Sequence, residues 1–179
     1  MNILSEISLS LYNTWVLSIM YIIISIGLLL LFPKHNISKF VKTPRIKYIT
    51  EANYVLYYGF LIFSIFIPIK TGTAVFYFGT GVFIVGLLLY TGSMFYFAIS
   101  EYDKPVTERI YKISRHPVYV SFFLICIGIS IAGVSIILSI VAILHFITSY
   151  FIAKEEEKQC IEVYGESYLN YMKKVRMFL

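Results

Sequence analysis

The chain has 179 residues, 59% of them hydrophobic and only 14% charged, with a mean hydropathy of +0.79. A soluble domain carries about 25% charge, and here the apolar residues fall in blocks of 16 to 27, long enough to cross a ~30 Å hydrocarbon core. The composition excludes a soluble globular enzyme, and the net charge of +5 belongs to loops at a membrane face rather than to a nucleic-acid surface.

Five spans are expected in chain order. The first, about 11–32, lacks a basic leader and a small-residue cleavage site, so it reads as a retained helix. The second covers about 53–69, ending near Pro68. The third, about 73–99, is long enough to tilt. The fourth and fifth, about 117–132 and 134–152, leave only Ala132 and Gly133 for a turn and form a hairpin. The fold class is thus an all-α integral membrane protein, one domain over 1–179. Three N-terminal spans occupy 1–100, and a hairpin with a cytoplasmic amphipathic tail helix occupies 101–179. The tail, about 154–176, is expected to bend at Gly165 and to lie over the cytoplasmic opening. Gly79, Gly81, Gly86, Gly92, Gly128 and Ser130 read as helix-packing positions. Cys126 and Cys160 show no disulfide pattern, and His35, His116 and His145 have no metal-ligand spacing.

Charge orients this set. Five spans place Lys34, Lys39, Lys42, Arg45 and Lys47, the basic residues of 104–115 and those of the tail on one side. That is fourteen of the fifteen Lys and Arg, with Lys70 alone opposite. The positive-inside rule makes this side cytoplasmic and puts the N-terminus outside. All acidic residues but Glu6 share it.

The hairpin has a chemical consequence. Two antiparallel helices of equal length return the chain to its starting face. Arg115, His116 and Pro117 must then lie beside Lys154, Glu155, Glu156 and Glu157. Pro117 suits a first helical position, whose free N–H groups favour an anion. The acidic run is expected at a helix C-terminal end, where the dipole disfavours it. Taken alone, Arg115 and His116 are an interface anchor and the Glu run a solvated helix start. His145 lies mid-span, where an ionisable group is a site candidate by default, although a neutral imidazole bonded to a neighbouring helix is the simpler reading.

These positions resemble a family. Tyr111-Lys112, then Arg115-His116-Pro117-x-Tyr119, a hydrophobic hairpin, Glu156-Glu157, and Tyr164-Gly165-x-x-Tyr168-x-x-Tyr171 are similar to the pattern of the isoprenylcysteine carboxyl methyltransferases. That family is grouped with the phospholipid N-methyltransferases. The likeness covers 107–175. It implies a membrane methyltransferase using S-adenosylmethionine, held on the cytoplasmic side by Tyr111, Lys112, Arg115, His116, Pro117, Tyr119, Glu156, Glu157, Tyr164 and Tyr168. Arg115 and Glu156 are the implied catalytic pair. It also implies a lipophilic or prenylated acceptor arriving from the bilayer among membrane lipids. Physical chemistry agrees: the cofactor's carboxylate suits Arg115 and His116, and its ammonium, sulfonium and hydroxyls suit Glu156 and Glu157. Methyl transfer needs alignment and water exclusion more than a strong base.

Three positions depart from the family pattern. Arg109-Ile110 stands where many members have glycine before proline or isoleucine. Tyr150-Phe151-Ile152-Ala153 lacks the arginine that many members carry before the acidic pair, which weakens a prenylcysteine carboxylate as acceptor unless Arg115 or Lys154 takes that role. Val175-Arg176-Met177-Phe178 replaces Val-Pro-Arg-Phe. Two other functions compete. A sterol-reductase-like enzyme using NADPH has a related Arg-His-Pro-x-Tyr, but with Arg-Asp-Glu where this chain has Lys154-Glu155-Glu156-Glu157. A non-enzymatic transporter or assembly protein predicts charges along a transmembrane path, whereas these gather at one face.

Overall fold

The computed structural model describes residues 12–31, 46–101 and 103–178. Lys34, His35, Lys39, Lys42, Arg45 and Glu6 lie outside the described residues. Within them the chain is helical: α1 (Trp15–Leu31), α2 (Lys47–Ser64), α3 (Ala74–Ile99), a 3₁₀ turn (Arg109–Lys112), α4 (Pro117–Ala132), α5 (Ile136–Tyr164) and α6 (Glu166–Lys174). Two helices, α3 and α5, are both long and apolar enough to cross a membrane, and α1 and α4 are shorter apolar helices. Large apolar side chains point outward from several helices, among them Ile23 and Leu30 of α1, Phe78 and Leu88 of α3, and Ile140 and Ile147 of α5. Such a surface is unfavourable in water and is the normal outer face in lipid.

The helices alternate in direction, and hydrogen bonds at one end of the bundle show it. Thr14 N–H donates to Ile67 O at 2.8 Å, Ile69 N–H to Tyr12 O at 3.0 Å, and Lys70 N–H to Ala132 O at 3.3 Å. The start of α1, the end of α2 and the α4–α5 turn therefore meet there. α2 corrects the expected second span: it begins earlier and stops at Ser64. Asn13 Nδ2 donates to Ile65 O at 2.7 Å and Thr14 Oγ1 to Ser64 O at 2.9 Å, so the terminal carbonyls are satisfied from outside. Beyond the helix the chain bends at Ile67, and Asn13 bridges Pro68 in antiparallel fashion.

α3 and α4 form the most intimate pair. A Cβ added to Gly79 would strike the backbone of Ala132 and Gly128, and one added to Gly128 would strike the backbone of Phe83 and Gly79. Gly86 meets Ile125 and Ser121 in the same way. Gly81 and Gly92 do not belong to this seam: nothing lies within 4 Å of a Cβ at Gly81, and only Ile110 Cδ1, at 3.8 Å, at Gly92.

The fifth span is also corrected. α5 does not end at 152 but continues to Tyr164 as one helix. Lys-Glu-Glu-Glu-Lys-Gln are good helix formers, and Lys158 Nζ pairs with Glu155 Oε2 at 3.0 Å. The glutamates sit mid-helix, so the expected clash with a helix C-terminal dipole does not arise. The break comes at Gly165, with φ 55° and ψ −130°, a conformation that side-chain-bearing residues avoid. No neighbour lies within 4 Å of a Cβ there, so the constraint is purely one of backbone. Gly165→Ala is expected to cost about 1–2 kcal/mol, read as a lowered thermal midpoint by circular dichroism in detergent.

Candidate active site

A second small core caps the end of the bundle opposite the α4–α5 turn. Tyr111, Tyr168 and Tyr171 are its buried centre, with Phe97, Ile110, Cys160 and Tyr164 packed around them. Tyr171 Oη donates to Tyr111 O at 2.6 Å and Tyr111 Oη to Ser93 O at 3.4 Å, tying α6 and the 3₁₀ turn to α3. Burial holds all three phenols well above their ordinary pKa, so they remain protonated hydrogen-bond donors. Arg109, standing where the family pattern has glycine, takes a left-handed φ of 57° with its guanidinium 5.9 Å from the Tyr96 ring centre.

The hairpin brings its two ends together as expected. Pro117 opens α4 at its first helical position, with His116 as N-cap. Arg115 Nε donates to Glu157 Oε1 at 2.6 Å, and His116 Nε2 lies 3.3 Å from the same oxygen. His116 Nδ1 is 3.5 Å from Glu156 Oε2, and Tyr119 Oη donates to Glu156 Oε1 at 2.7 Å. Burial works hardest against both charges, yet the hydrogen bonds win. The pKa of His116 is raised by Glu156 and Glu157, and that of Glu157 is lowered by His116 and Arg115.

The tail closes over this group. Arg115 N–H donates to Arg176 O at 3.0 Å, His116 N–H to Met177 O at 3.1 Å and Ser114 Oγ to Met177 O at 3.1 Å. Arg115 Nη1 also donates to Met172 O and Val175 O. Phe178 sits against Phe146, 4.9 Å between ring centres, and beside His116 at 6.3 Å.

A cavity of about 350 Å³ lies between the base of the hairpin and α6. It is lined by eight of the ten residues singled out from the sequence: Tyr111, Arg115, His116, Pro117, Tyr119, Glu156, Tyr164 and Tyr168. Lys112 stands apart, exposed and paired with Glu108 at 2.7 Å. Glu157 is buried behind Arg115 and His116, outside the cavity wall. The sequence reading of the site also missed several lining residues. Thr50 comes from α2, Lys104 and Val106 from the α3–α4 connection, Tyr171 from α6, and Gln159, Cys160 and Val163 from α5. The last three share a face with Glu156 at helical spacing, a signal already present in the expected tail helix from about 154 but not used there.

The sequence model of the phospholipid methyltransferase family matches residues 74–167, just over half of the chain. The match takes in α3, the 3₁₀ turn, α4 and all of α5, and so most of the cavity wall. The chain belongs to this family. No curated protein matches it in sequence. Membership in the phospholipid methyltransferase family makes the chain a methyltransferase in coarse class, and the two long apolar helices accord with a membrane location. It also disfavours both the reductase and the transporter reading.

Proposed function

We propose that the chain is a five-span membrane methyltransferase that uses S-adenosylmethionine on a lipophilic acceptor, with its N-terminus outside and its site at the cytoplasmic face. The observation that carries this reading is Glu156. Its carboxylate is about half exposed (47%) in the cavity wall and is oriented by Tyr119 and His116. The cavity volume falls within the usual range for small-ligand sites. Glu155 and Glu156 would hold the cofactor's cationic groups and hydroxyls. The rings of Tyr111, Tyr164, Tyr168 and Phe97 offer flat faces for its base and sulfonium. Of the cationic lining, His116 is held between Glu156 and Glu157, and the exposed Lys104, paired with Glu101 at the surface, is the group that would turn to its carboxylate. When bound, S-adenosylmethionine supplies a methyl group on a cationic sulfur that a nucleophile displaces in line.

The roles differ from the simplest expectation for Arg115. Its Nε and Nη1 are taken by Glu157 and the two tail carbonyls, so it positions the lid and the His116–Glu157 pair. Lys154 lies exposed over the Tyr150 ring, 4.8 Å from its centre. Neither residue is disposed to receive an acceptor carboxylate, which argues against a prenylcysteine.

Calorimetric titration tests the reading. S-adenosylmethionine should bind the purified protein in the micromolar range, and Glu156→Ala or His116→Ala should weaken it by roughly tenfold to a hundredfold. Absence of heat with S-adenosylmethionine, together with binding of NADPH, would move the assignment to the reductase reading.

A further inference from the structure

α5 presents one continuous stripe to the large cavity. Ile152, Glu155, Glu156, Gln159, Val163 and Tyr164 all line it, at steps of three and four residues. The chemistry changes along the stripe. The two carboxylates come first, Gln159 follows about 4.5 Å further along the helix axis than Glu156, and an apolar and an aromatic side chain come last.

Gln159 is the one carboxamide among the described lining residues. It is half-buried, and neither its oxygen nor its nitrogen has a hydrogen-bond partner among the described residues. Several polar neighbours in the wall are already committed. Thr50 Oγ1 donates to Ile46 O at 3.1 Å, Tyr119 Oη to Glu156 Oε1 at 2.7 Å and Tyr171 Oη to Tyr111 O at 2.6 Å, and a hydroxyl has only one hydrogen to give. Glu155 Oε2 takes Lys158 Nζ at 3.0 Å. Any ligand that fills the cavity strips solvent from the Gln159 amide, so a good ligand replaces both its contacts.

A primary amide sets a donor beside an acceptor in one plane. A carboxylate only accepts and an ammonium only donates. The edge of adenine is the complement of the amide: an exocyclic amino hydrogen to give, beside a ring nitrogen to receive, which is why glutamine pairs with adenine through two hydrogen bonds. The order along the stripe, acid and then amide, also matches the order of ribose hydroxyls and base in an adenosyl group.

We propose that Gln159 reads the edge of the adenine base and makes the site selective for an aminopurine nucleoside. This inference rests on the cofactor proposed above, and it adds the residue that distinguishes one base from another.

The full chain, purified in detergent, is titrated calorimetrically with S-adenosylhomocysteine and with its purine analogue, in which hydrogen replaces the exocyclic amino group. Wild type should bind S-adenosylhomocysteine about tenfold more tightly than the analogue. Gln159→Met keeps the length of the side chain and suits a helix. It should weaken S-adenosylhomocysteine about tenfold and bring the two affinities within about twofold of each other. A residue that only shaped the cavity would weaken both ligands alike and leave their ratio unchanged. Gln159→Ala is the second variant and should erase the ratio in the same way. Equal affinities in wild type, or a tenfold preference kept by either folded variant, overturns the proposal. Failure of both variants to fold would make Gln159 a structural residue and overturn it too. The two readings fail differently. Binding of S-adenosylhomocysteine without preference overturns the role of Gln159 alone, whereas no binding of either ligand by folded wild type overturns the cofactor reading and this inference with it.

Discussion

Glu157→Ala is expected to destabilise the protein by about 3–5 kcal/mol, the usual consequence of removing one partner of a buried ion pair. Glu157 is 7% exposed, and its one oxygen Oε1 takes both Arg115 Nε and His116 Nε2. Without it the guanidinium stays buried, held against the carbonyls of Met172 and Val175, with its charge uncompensated. The lid depends on that guanidinium, so lid and site should loosen together. At roughly 2–4 °C per kcal/mol for a chain of this size, the thermal midpoint should fall by about 6–20 °C. Glu157→Gln keeps an acceptor for Arg115 and should lose less. A midpoint for Glu157→Ala within a degree or two of wild type would show that the triad does not hold the cap.

The same triad sets a pH window. The pKa of Glu157 is lowered in the folded state, so its contribution is present above the ordinary carboxylate value of about 4.3 and is lost as pH falls through the lowered value. The pKa of His116 is raised, so its contribution is complete below the ordinary imidazole value of about 6.5 and is lost as pH rises through the raised value. Between these limits the triad stabilises most. The alkaline loss should shrink in Glu157→Ala, since one of the two carboxylates that raise the His116 pKa is gone.

Gly128→Leu should be as damaging, by about 3 kcal/mol or more, for a reason unrelated to charge. Even the first carbon of the new side chain would overlap the backbone of Phe83 and Gly79. Overpacking of a well-filled core costs about 1–3 kcal/mol. Here the obstruction is main chain, which cannot rotate away, so α3 and α4 must separate along their length. In lipid, close van der Waals packing is the main force holding helices together, so separation forfeits much of it. The cavity suffers as well, because Phe97 comes from the end of α3 and Pro117 to Tyr119 from the start of α4. Gly81→Ala is the control: nothing lies within 4 Å of the added carbon, and it should shift stability by no more than about 0.5 kcal/mol. Equal midpoints for the two variants would show that the seam is not under steric constraint.

The juxtaposition of Arg115 and His116 with Glu156 and Glu157 was legible before any coordinates, because hairpin geometry follows from two apolar runs and a short turn. So was the start of α4 at Pro117 and the break at Gly165, since both residues impose backbone conformations. The extent of α5 was not, because hydropathy falls at Lys154 although the helix does not end. Reading a span as a whole helix also misplaced the glutamates relative to the dipole.

The sequence by itself determined the apolar blocks, the hairpin, the face on which charge gathers and the residue types available there. Each depends on neighbours in the chain or on transfer from water to lipid. Only the tertiary structure decided how those residues divide the work. Arg115 is drawn to Glu157 and to the tail carbonyls, Glu157 is sealed behind Arg115 and His116, and Glu156 is left half open to the cavity. Those outcomes depend on which of several competing donors and acceptors lies within about 3 Å of each group, a distance set by helix packing and not by order along the chain.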